Sequence, residues 1–265
     1  MVFSSAQAAS LHTLFETLSY FVGYAYYKHL RKSGDAISTD NRIYIIMGAA
    51  AGALVFSRLI GLLEDPNLFT AAHPFIYYLQ HKTILGGLAG GLLGVELTKK
   101  ILGERNSSGD LFVFPIILSL VIGRVGCLLA GVHDGTVGTP TASIFGMDLG
   151  DGIKRHPTSL YEIIFLIVLF LILKIYNNKS KSSRVAEGGV AIQQSVDCFV
   201  RQSRPLNDAS GYLFRYFMMS YAAFRLLIEN IKPVYPIFGG FTAIQWTCVA
   251  LLIYYAQLFI RRKAA

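Results

Sequence analysis

The sequence has little charge for its length. Only 15% of its 265 residues are charged and 53% are hydrophobic, whereas soluble domains carry about a quarter charged residues. This argues against a soluble protein and for several apolar segments.

Cysteine is also scarce. Cys127, Cys198 and Cys248 are odd in number and far apart, which excludes a disulfide scaffold and offers no zinc-ligand spacing. We therefore expect no metal and no cofactor.

Seven stretches are long and apolar enough to cross a bilayer, which takes about 17–25 residues as a helix. They are residues 11–28, 43–63, 83–103, 111–131, 157–177, 210–230 and 239–260. We predict an all-α integral membrane protein whose residues 1–265 form a single domain of seven transmembrane helices. Long loops are usually functional or disordered. We expect the outer loop over 132–156 to form part of a site, and the polar loop over 177–210 to be a flexible cytoplasmic linker. Residues 67–81 suit an interfacial segment or an ordinary capping loop.

The basic residues are distributed unevenly between the two sides of the predicted helices. Sixteen lysines and arginines lie in the connections or at the adjoining helix ends on one side of an alternating topology, and four lie on the other side. Positive residues accumulate in cytoplasmic loops, so the N-terminus is predicted to be periplasmic and the C-terminus cytoplasmic. This asymmetry accounts for the formal net charge of +8, and we expect no nucleic-acid partner.

The third apolar stretch is unusually rich in glycine. Small residues at four-residue spacing let helix backbones approach closely in lipid. The glycines could equally face a ligand, and the sequence leaves both roles open. They are Gly86, Gly87, Gly90, Gly91 and Gly94.

Ionisable residues also fall inside the predicted helices. A charge near the bilayer centre costs about 2.5–3.5 kcal/mol on insertion scales, so such residues pair with one another or serve a function. The set comprises Arg58, Arg124, Arg215, Arg225, Glu16, Glu96, Glu162 and Glu229. Arg225 and Glu229 are four residues apart and can pair locally, with Tyr221 on the same helical face. Arg124 and Arg225, if they face a common cavity, would clamp a phosphate through their planar guanidinium groups. A lipid headgroup is the phosphate expected at this depth.

The segment RHPTSLYE at 155–162 combines several features of a binding site. Pro157 is suited to open a helix, and the N–H groups at a helix N-terminus favour an anion. His156 is either a capping residue or a proton carrier. Glu162, within the first turns, is placed to pair with an arginine.

Three segments, in this order on the fourth, fifth and sixth predicted helices, resemble the bacterial prolipoprotein diacylglyceryl transferase family: GRVGCLLAG at 123–131, RHPTSLYE at 155–162 and YAAFRLLIE at 221–229. The resemblance extends over most of the chain and includes GALVFSRLIGLL at 52–63, LGGLAGG at 85–91 and Gln245. It implies a multi-pass enzyme of the bacterial inner membrane. Its activity would move a diacylglyceryl group from phosphatidylglycerol to the lipobox cysteine in the signal peptide of a preprolipoprotein. Partners would be that lipid, that peptide and the surrounding membrane lipids.

The resemblance also implies roles for individual residues. Arg124 and Arg225 would contact the phosphate, and Tyr221 and Glu229 fall on functional positions; we add His156 to these catalytic candidates. The candidates for substrate binding are Arg58, Gly126, Cys127, Gly135, Glu162, Glu16 and Tyr20.

Several positions depart from the family pattern. The family's His-Gly-Gly-Leu motif begins here with Leu85, Cys127 replaces an asparagine, and the expected carboxylate falls on Val132, two residues before Asp134. The important first-helix tyrosine falls near Glu16, with Tyr20 one turn later. These departures indicate a divergent branch and leave the general base open among His133, His156, Glu16 and Tyr221. Two alternatives remain, a lipid transferase with a different acceptor and a non-catalytic phospholipid-binding membrane protein. The absent motif histidine favours the latter.

Overall fold

The computed structural model describes residues 4–32, 35, 37–64, 78, 81–192, 211–233 and 235–263. Helices dominate this part of the chain, and each predicted apolar stretch coincides with one of them. They are α1 (Ser5–Arg31), α2 (Thr39–Leu63), α3 (Ile84–Leu102), α4 (Val113–Ala130), α5 (Thr158–Ile192), α6 (Tyr212–Ile228) and α7 (Ala243–Lys263). The strands found in the described residues are β1 (Met147–Asp148) and β2 (Lys154–Arg155), which pair antiparallel. The all-α prediction is confirmed for the described chain.

Among the described residues, three helical segments are apolar and long enough to cross a membrane. They are Thr39–Leu63, Asp110–Asp134 and Thr158–Lys179, with mean hydropathies of 1.9, 2.3 and 2.3. The second comprises α4 and the 3₁₀ turns at its two ends, Asp110–Phe112 and Gly131–Asp134. A shorter apolar stretch, Ala243–Leu258, lies in α7. Seven crossings and their orientation remain predictions.

The chain forms two compact units. The first lies within Met1–Ala36, Ser107–Val137 and Phe145–Phe217, and the second within Ile37–Asn106, Gly138–Ile144 and Met218–Ala265. The first unit therefore holds α1, α4, α5 and the start of α6, and the second holds α2, α3, α7 and the rest of α6. The single domain over 1–265 stays a prediction.

In the first unit, α4 packs against both α1 and α5. Small residues bring α1 close to α4. The hydroxyl of Ser119 donates a hydrogen bond to the backbone oxygen of Ser19 at 2.9 Å, and a Cβ added at Gly126 would lie 2.7 Å from the Cβ of Phe15. A larger residue at Gly126 would therefore separate the two helices.

In the second unit, α2 and α3 cross at glycines on both helices. A Cβ added at Gly90 would lie 2.2 Å from the backbone oxygen of Gly52, and one at Gly94 would lie 2.1 Å from that of Gly48. A Cβ at Gly91 would meet its nearest neighbour at an ordinary 3.6 Å. Close packing, one of the two roles left open for the glycine run, is thus confirmed for Gly90 and Gly94.

Hydrogen bonds within each unit join helix ends that an alternating topology places on the same side. In the first unit, Phe214 N at the start of α6 donates to Oδ1 of Asp110, just before α4, at 2.9 Å. In the second unit, Nδ2 of Asn41 at the start of α2 donates to Oε2 of Glu104, just after α3, at 3.3 Å. In the same unit, Ile244 N at the start of α7 donates to Oε1 of Glu64, just after α2, at 2.7 Å.

One of the two long connections is shorter than predicted. Helix α5 continues to Ile192, so the first part of the predicted linker at 177–210 is helical. No proline interrupts this stretch, which allows the helix to continue past its apolar segment. Residues 193–210 and most of 67–81 lie outside the described residues. The loop over 132–156, predicted to lie outside, is held by local hydrogen bonds. Val132 N donates to Leu149 O at 3.1 Å, and the N–H groups of Gly150 and Gly152 donate to Oδ1 of Asp148.

Candidate functional site

A buried ion pair joins α4 to the first turns of α5. The Nε atom of Arg124 lies 2.9 Å from Oε2 of Glu162, and the two side chains are 8% and 2% exposed. Charges of opposite sign at this distance offset the cost of taking each of them out of water. The structure therefore brings Glu162 to an arginine, as its position near the start of the helix predicts. Its role in substrate binding stays a prediction.

A polar cluster surrounds the thiol of Cys127, one turn from Arg124. The guanidinium Nη1 of Arg124 lies 3.6 Å from the Cys127 sulfur. On the facing helix α1, Nε2 of His12 lies 3.2 Å from Oδ1 of Asp134, and Nδ1 of His12 lies 4.0 Å from a carboxylate oxygen of Glu16. The donor atoms of His12, Cys127 and Asp134 all lie within 4.8 Å of one another. An imidazole, a thiol, a guanidinium and two carboxylates thus occupy one part of the first unit.

The loop after α4 places Asp134 in this cluster. The 3₁₀ turn Gly131–Asp134 directly follows α4, and the Thr136 hydroxyl donates to Oδ2 of Asp134. The same hydroxyl lies 3.3 Å from that of Ser159, and the Thr158 hydroxyl donates to the backbone oxygen of Thr136. These bonds fix the turn against the N-terminus of α5, so both oxygens of the Asp134 carboxylate have a partner.

The spacing of the His12, Cys127 and Asp134 donors is also one that a small metal ion requires. The positive guanidinium of Arg124, however, is already 3.6 Å from the sulfur that would ligate the ion. A second cation there would meet like-charge repulsion in a poorly solvated region. The chemistry of the donor set therefore fits an acid–base group better than a metal site.

The second unit contains a buried ion pair of its own. Nη2 of Arg225 lies 2.9 Å from Oε2 of Glu229, with side chains 5% and 2% exposed. The local pair predicted from the four-residue spacing is confirmed. Tyr221, one turn earlier on α6, is fully buried. Gln245 on α7 donates to Oδ1 of Asn230 at 3.4 Å, just after Glu229.

Glu64 is the first residue after α2, and its carboxylate lies against the start of α7. It is just outside the apolar span Thr39–Leu63. Its Oε1 accepts the N–H of Ile244 at 2.7 Å, which satisfies one of the free donors of that helix N-terminus. Burial raises the pKa of Glu64, and the negative charge of Glu229 raises it further, against the lowering effect of the Ile244 bond.

Other residues singled out from the sequence occupy different environments. Arg58 is half-buried on α2, and its Nη1 is 3.4 Å from the Ser57 hydroxyl. Tyr20 is 68% exposed on the surface of α1 and is not part of the Cys127 cluster. Nδ1 of His156 lies 3.3 Å from the Tyr161 hydroxyl, and its backbone oxygen accepts the N–H of Thr158 at 2.9 Å. Both roles considered for this residue, cap and proton carrier, stay predictions.

Two glycines predicted to bind substrate have structural roles in the described residues. Gly126 allows the close contact between α1 and α4. Gly135 has φ of +69° and follows the 3₁₀ turn that carries Asp134, a backbone conformation that costs other residues about 1–2 kcal/mol. Whether either glycine contacts substrate stays a prediction.

Sequence reasoning missed His12 and underestimated Asp134. His12 is one turn before Glu16 on α1, so the two were recognisable as neighbours on one helical face. Nothing in the local sequence, however, brings His12 to Asp134, which lies beyond three further helices. The departure noted at Val132 was the available signal, because it moved the expected carboxylate two residues along to Asp134.

The apolar helices with ionisable groups buried among them define a helical membrane protein. A family model described as prolipoprotein diacylglyceryl transferase matches residues 7–261, and the chain belongs to this family. Two curated relatives are named phosphatidylglycerol–prolipoprotein diacylglyceryl transferase. That of Bordetella parapertussis is 27% identical over 263 residues, covering 92% of this chain and 88% of the relative. That of Nitratidesulfovibrio vulgaris is 28% identical over 243 residues, covering 84% and 76%.

Proposed function

We propose that this protein transfers the diacylglyceryl group of phosphatidylglycerol to the cysteine thiol of a prolipoprotein signal peptide. The observation that carries the proposal is the buried Arg124–Glu162 pair beside the Cys127 cluster. Relatives over most of the chain are named for this transfer. The family indicates the class of reaction. The pair contains a guanidinium, a group suited to bind the phosphate of the lipid.

The geometry of the pair suits Arg124 to a phosphate. Oε2 of Glu162 lies 2.9 Å from Nε of Arg124, so the carboxylate fixes the orientation of the guanidinium. A guanidinium fixed in this way is a planar cation whose shape matches the oxygens of a phosphate. As the bond between the glyceryl carbon and the phosphate oxygen breaks, negative charge grows on the departing glycerol phosphate. A fixed cation in a poorly solvated site stabilises that charge.

We propose a similar role for Arg225, which Glu229 orients from the next turn. Tyr221 is buried on the same face and would contribute a hydroxyl for hydrogen bonding. Arg58, half-buried on α2, would bind lipid phosphate through its exposed part. These roles extend the family resemblance residue by residue and are tested individually by substitution.

We also propose that the protein is a multi-pass protein of the bacterial inner membrane, with its N-terminus outside. The distribution of sixteen basic residues against four supports the orientation. The bonds between helix ends support alternating helices in each unit. Single cysteines introduced at residue 6 and residue 150 should react with a membrane-impermeant maleimide on intact spheroplasts, and one at residue 105 should not. The reverse pattern would contradict this orientation.

The functional experiment uses purified protein, phosphatidylglycerol vesicles and a lipobox peptide. Arg124→Gln should lower the rate of peptide lipidation by about 10²–10³-fold, the usual effect of removing one charge-stabilising donor. Arg124→Lys should recover little, because an ammonium group cannot keep the Glu162 contact and donate in a planar fork. Arg31→Gln is the matched control. Arg31 pairs with Asp35 at 3.6 Å at the opposite end of α1 from His12, and its loss should leave the rate within about twofold of the unaltered protein.

The outcomes separate the alternatives. If the unaltered protein lipidates the peptide and Arg124→Gln does so at the same rate, the role proposed for the pair is wrong. Release of glycerol phosphate without peptide lipidation would indicate a transferase with another acceptor. Saturable lipid binding with no glycerol phosphate release would indicate the non-catalytic phospholipid-binding protein.

A further inference from the structure

The reaction needs a proton acceptor for the peptide thiol. A thiol is mostly protonated at neutral pH, its ordinary pKa being about 8.5, and the thiolate is the nucleophile. The acceptor must be within hydrogen-bonding reach of the substrate and must present a free lone pair. A neutral imidazole held in one tautomer meets both conditions.

We propose that His12, oriented by Asp134, is the general base that accepts this proton. The inference rests on the proposed diacylglyceryl transfer and names a catalytic residue for it. His12 sits on α1 with its side chain 27% exposed, so a substrate can reach the ring, whereas the Asp134 side chain is only 7% exposed. A general base must be accessible to the substrate, and the carboxylate that orients it must be fixed. The exposed ring of His12 and the buried carboxylate of Asp134 meet these two requirements.

The contacts of the ring favour one tautomer. Nε2 of His12 lies 3.2 Å from Oδ1 of Asp134. A carboxylate at this nitrogen favours a proton on Nε2, which leaves the lone pair on Nδ1. Asp134 is itself held by the Thr136 hydroxyl on its other oxygen. When Nδ1 takes a proton, the new N–H has Glu16 within 4.0 Å as a partner of opposite charge. The imidazolium is then flanked by a carboxylate at each nitrogen.

The charged groups around His12 come from each element packed against it. Glu16 lies on its own helix, Asp134 on the 3₁₀ turn, and Cys127 on α4, with Arg124 behind the Cys127 sulfur. The side chain of Cys127 therefore lies between His12, the proposed base, and Arg124, the residue proposed to bind the phosphate. A substrate thiol at His12 therefore reacts close to the guanidinium that stabilises the leaving group.

Cys127 is not suited to be the nucleophile in place of the substrate thiol. Alkylation of its sulfur by the diacylglyceryl group would form a thioether, and a thioether is not displaced by a second thiol under ordinary conditions. Direct transfer is therefore the consistent course. The substrate S–H bond breaks and its proton goes to Nδ1 of His12, while the sulfur lone pair forms a bond to the glyceryl carbon. The bond between that carbon and the phosphate oxygen breaks, and glycerol phosphate leaves with the electron pair as a dianion. The imidazolium then returns its proton to glycerol phosphate or to water.

The test compares His12→Gln and Asp134→Asn with His29→Gln, which alters an exposed histidine at the far end of the same helix. We expect His12→Gln to lower kcat for lipidation by about 10²–10⁴-fold at pH 7, the contribution of a positioned general base. KM for phosphatidylglycerol should change little. The loss should shrink as the pH rises toward the ionisation of the peptide thiol, because the thiolate then forms without a base. Asp134→Asn should behave similarly with a smaller loss, and His29→Gln should match the unaltered protein.

Two results would overturn the inference while leaving the function intact. One is an active unaltered protein with kcat of His12→Gln within threefold of it. The other is a loss in His12→Gln that is the same at every pH, which would indicate a structural role. Absence of lipidation by the unaltered protein would instead overturn the proposed function together with this inference.

Discussion

Replacing Glu162 with glutamine removes the charge that holds Arg124 and leaves a buried cation without its counter-ion. The pair is 2.9 Å apart, with side chains 8% and 2% exposed. At an effective dielectric constant of about 20, opposite unit charges about 4 Å apart attract by about 4 kcal/mol, and breaking a buried pair costs about 3–5 kcal/mol. We therefore expect Glu162→Gln to lower the free energy of unfolding by about 3 kcal/mol.

A double-mutant cycle isolates the interaction. Arg124→Gln should cost a similar amount, and the doubly substituted protein should lose clearly less than the sum, with a coupling of about 2 kcal/mol or more. The control is the pair of Lys99 and Glu96 on α3, which is 3.8 Å apart with Glu96 about half exposed. Its coupling should be about 0.2–0.5 kcal/mol.

The measurement is reversible unfolding by sodium dodecyl sulfate in detergent micelles, followed by far-ultraviolet circular dichroism. A coupling for Arg124 and Glu162 no larger than that of the control pair would refute the argument that burial strengthens the first pair. It would also remove the basis for assigning Glu162 the task of orienting the guanidinium.

Three further predictions concern stability and use the same unfolding assay. Gly90→Ala should cost about 1–3 kcal/mol because its Cβ would lie 2.2 Å from the backbone of α2, and Gly91→Ala should cost little; equal effects would contradict the helix crossing. Gly135→Ala should cost about 1–2 kcal/mol through its positive φ alone, since no described residue beyond its two chain neighbours has an atom within 4 Å of the added Cβ; an unchanged stability would argue against that backbone conformation. The pKa of Glu64 is raised in the folded state, so the free energy of unfolding should fall as the pH rises from 4.5 through that raised pKa. Glu64→Gln should lack this part of the pH dependence. If the two proteins have the same pH profile, the burial of Glu64 is contradicted.

The helices were predictable because their signal is local. Each apolar run is long enough to define a helix, and α7 follows from the uncharged stretch at 239–260. The Arg225–Glu229 pair was predictable for the same reason, since residues four apart on one helix face each other. The end of α5 was not, because the polar residues after 177 carry no apolar pattern although they continue the helix.

The Cys127 cluster was only partly predictable because it depends on contacts between distant segments. Arg124 and Glu162 were both identified, but their pairing depends on how α4 packs against α5. His12 and Asp134 meet because Gly126 lets α1 approach α4 and the 3₁₀ turn that carries Asp134 directly follows α4. No periodicity in a single sequence encodes either contact, so the proposed base emerged only from the structure.

The central claim is tested most directly by mass analysis of a lipobox peptide incubated with the purified protein and phosphatidylglycerol. The account predicts that the peptide gains one diacylglyceryl group, that glycerol phosphate is released in equal amount, and that Arg124→Gln abolishes most of both. A peptide of unchanged mass with the unaltered protein would contradict the proposed transfer, and full lipidation by Arg124→Gln would contradict the site assigned to it.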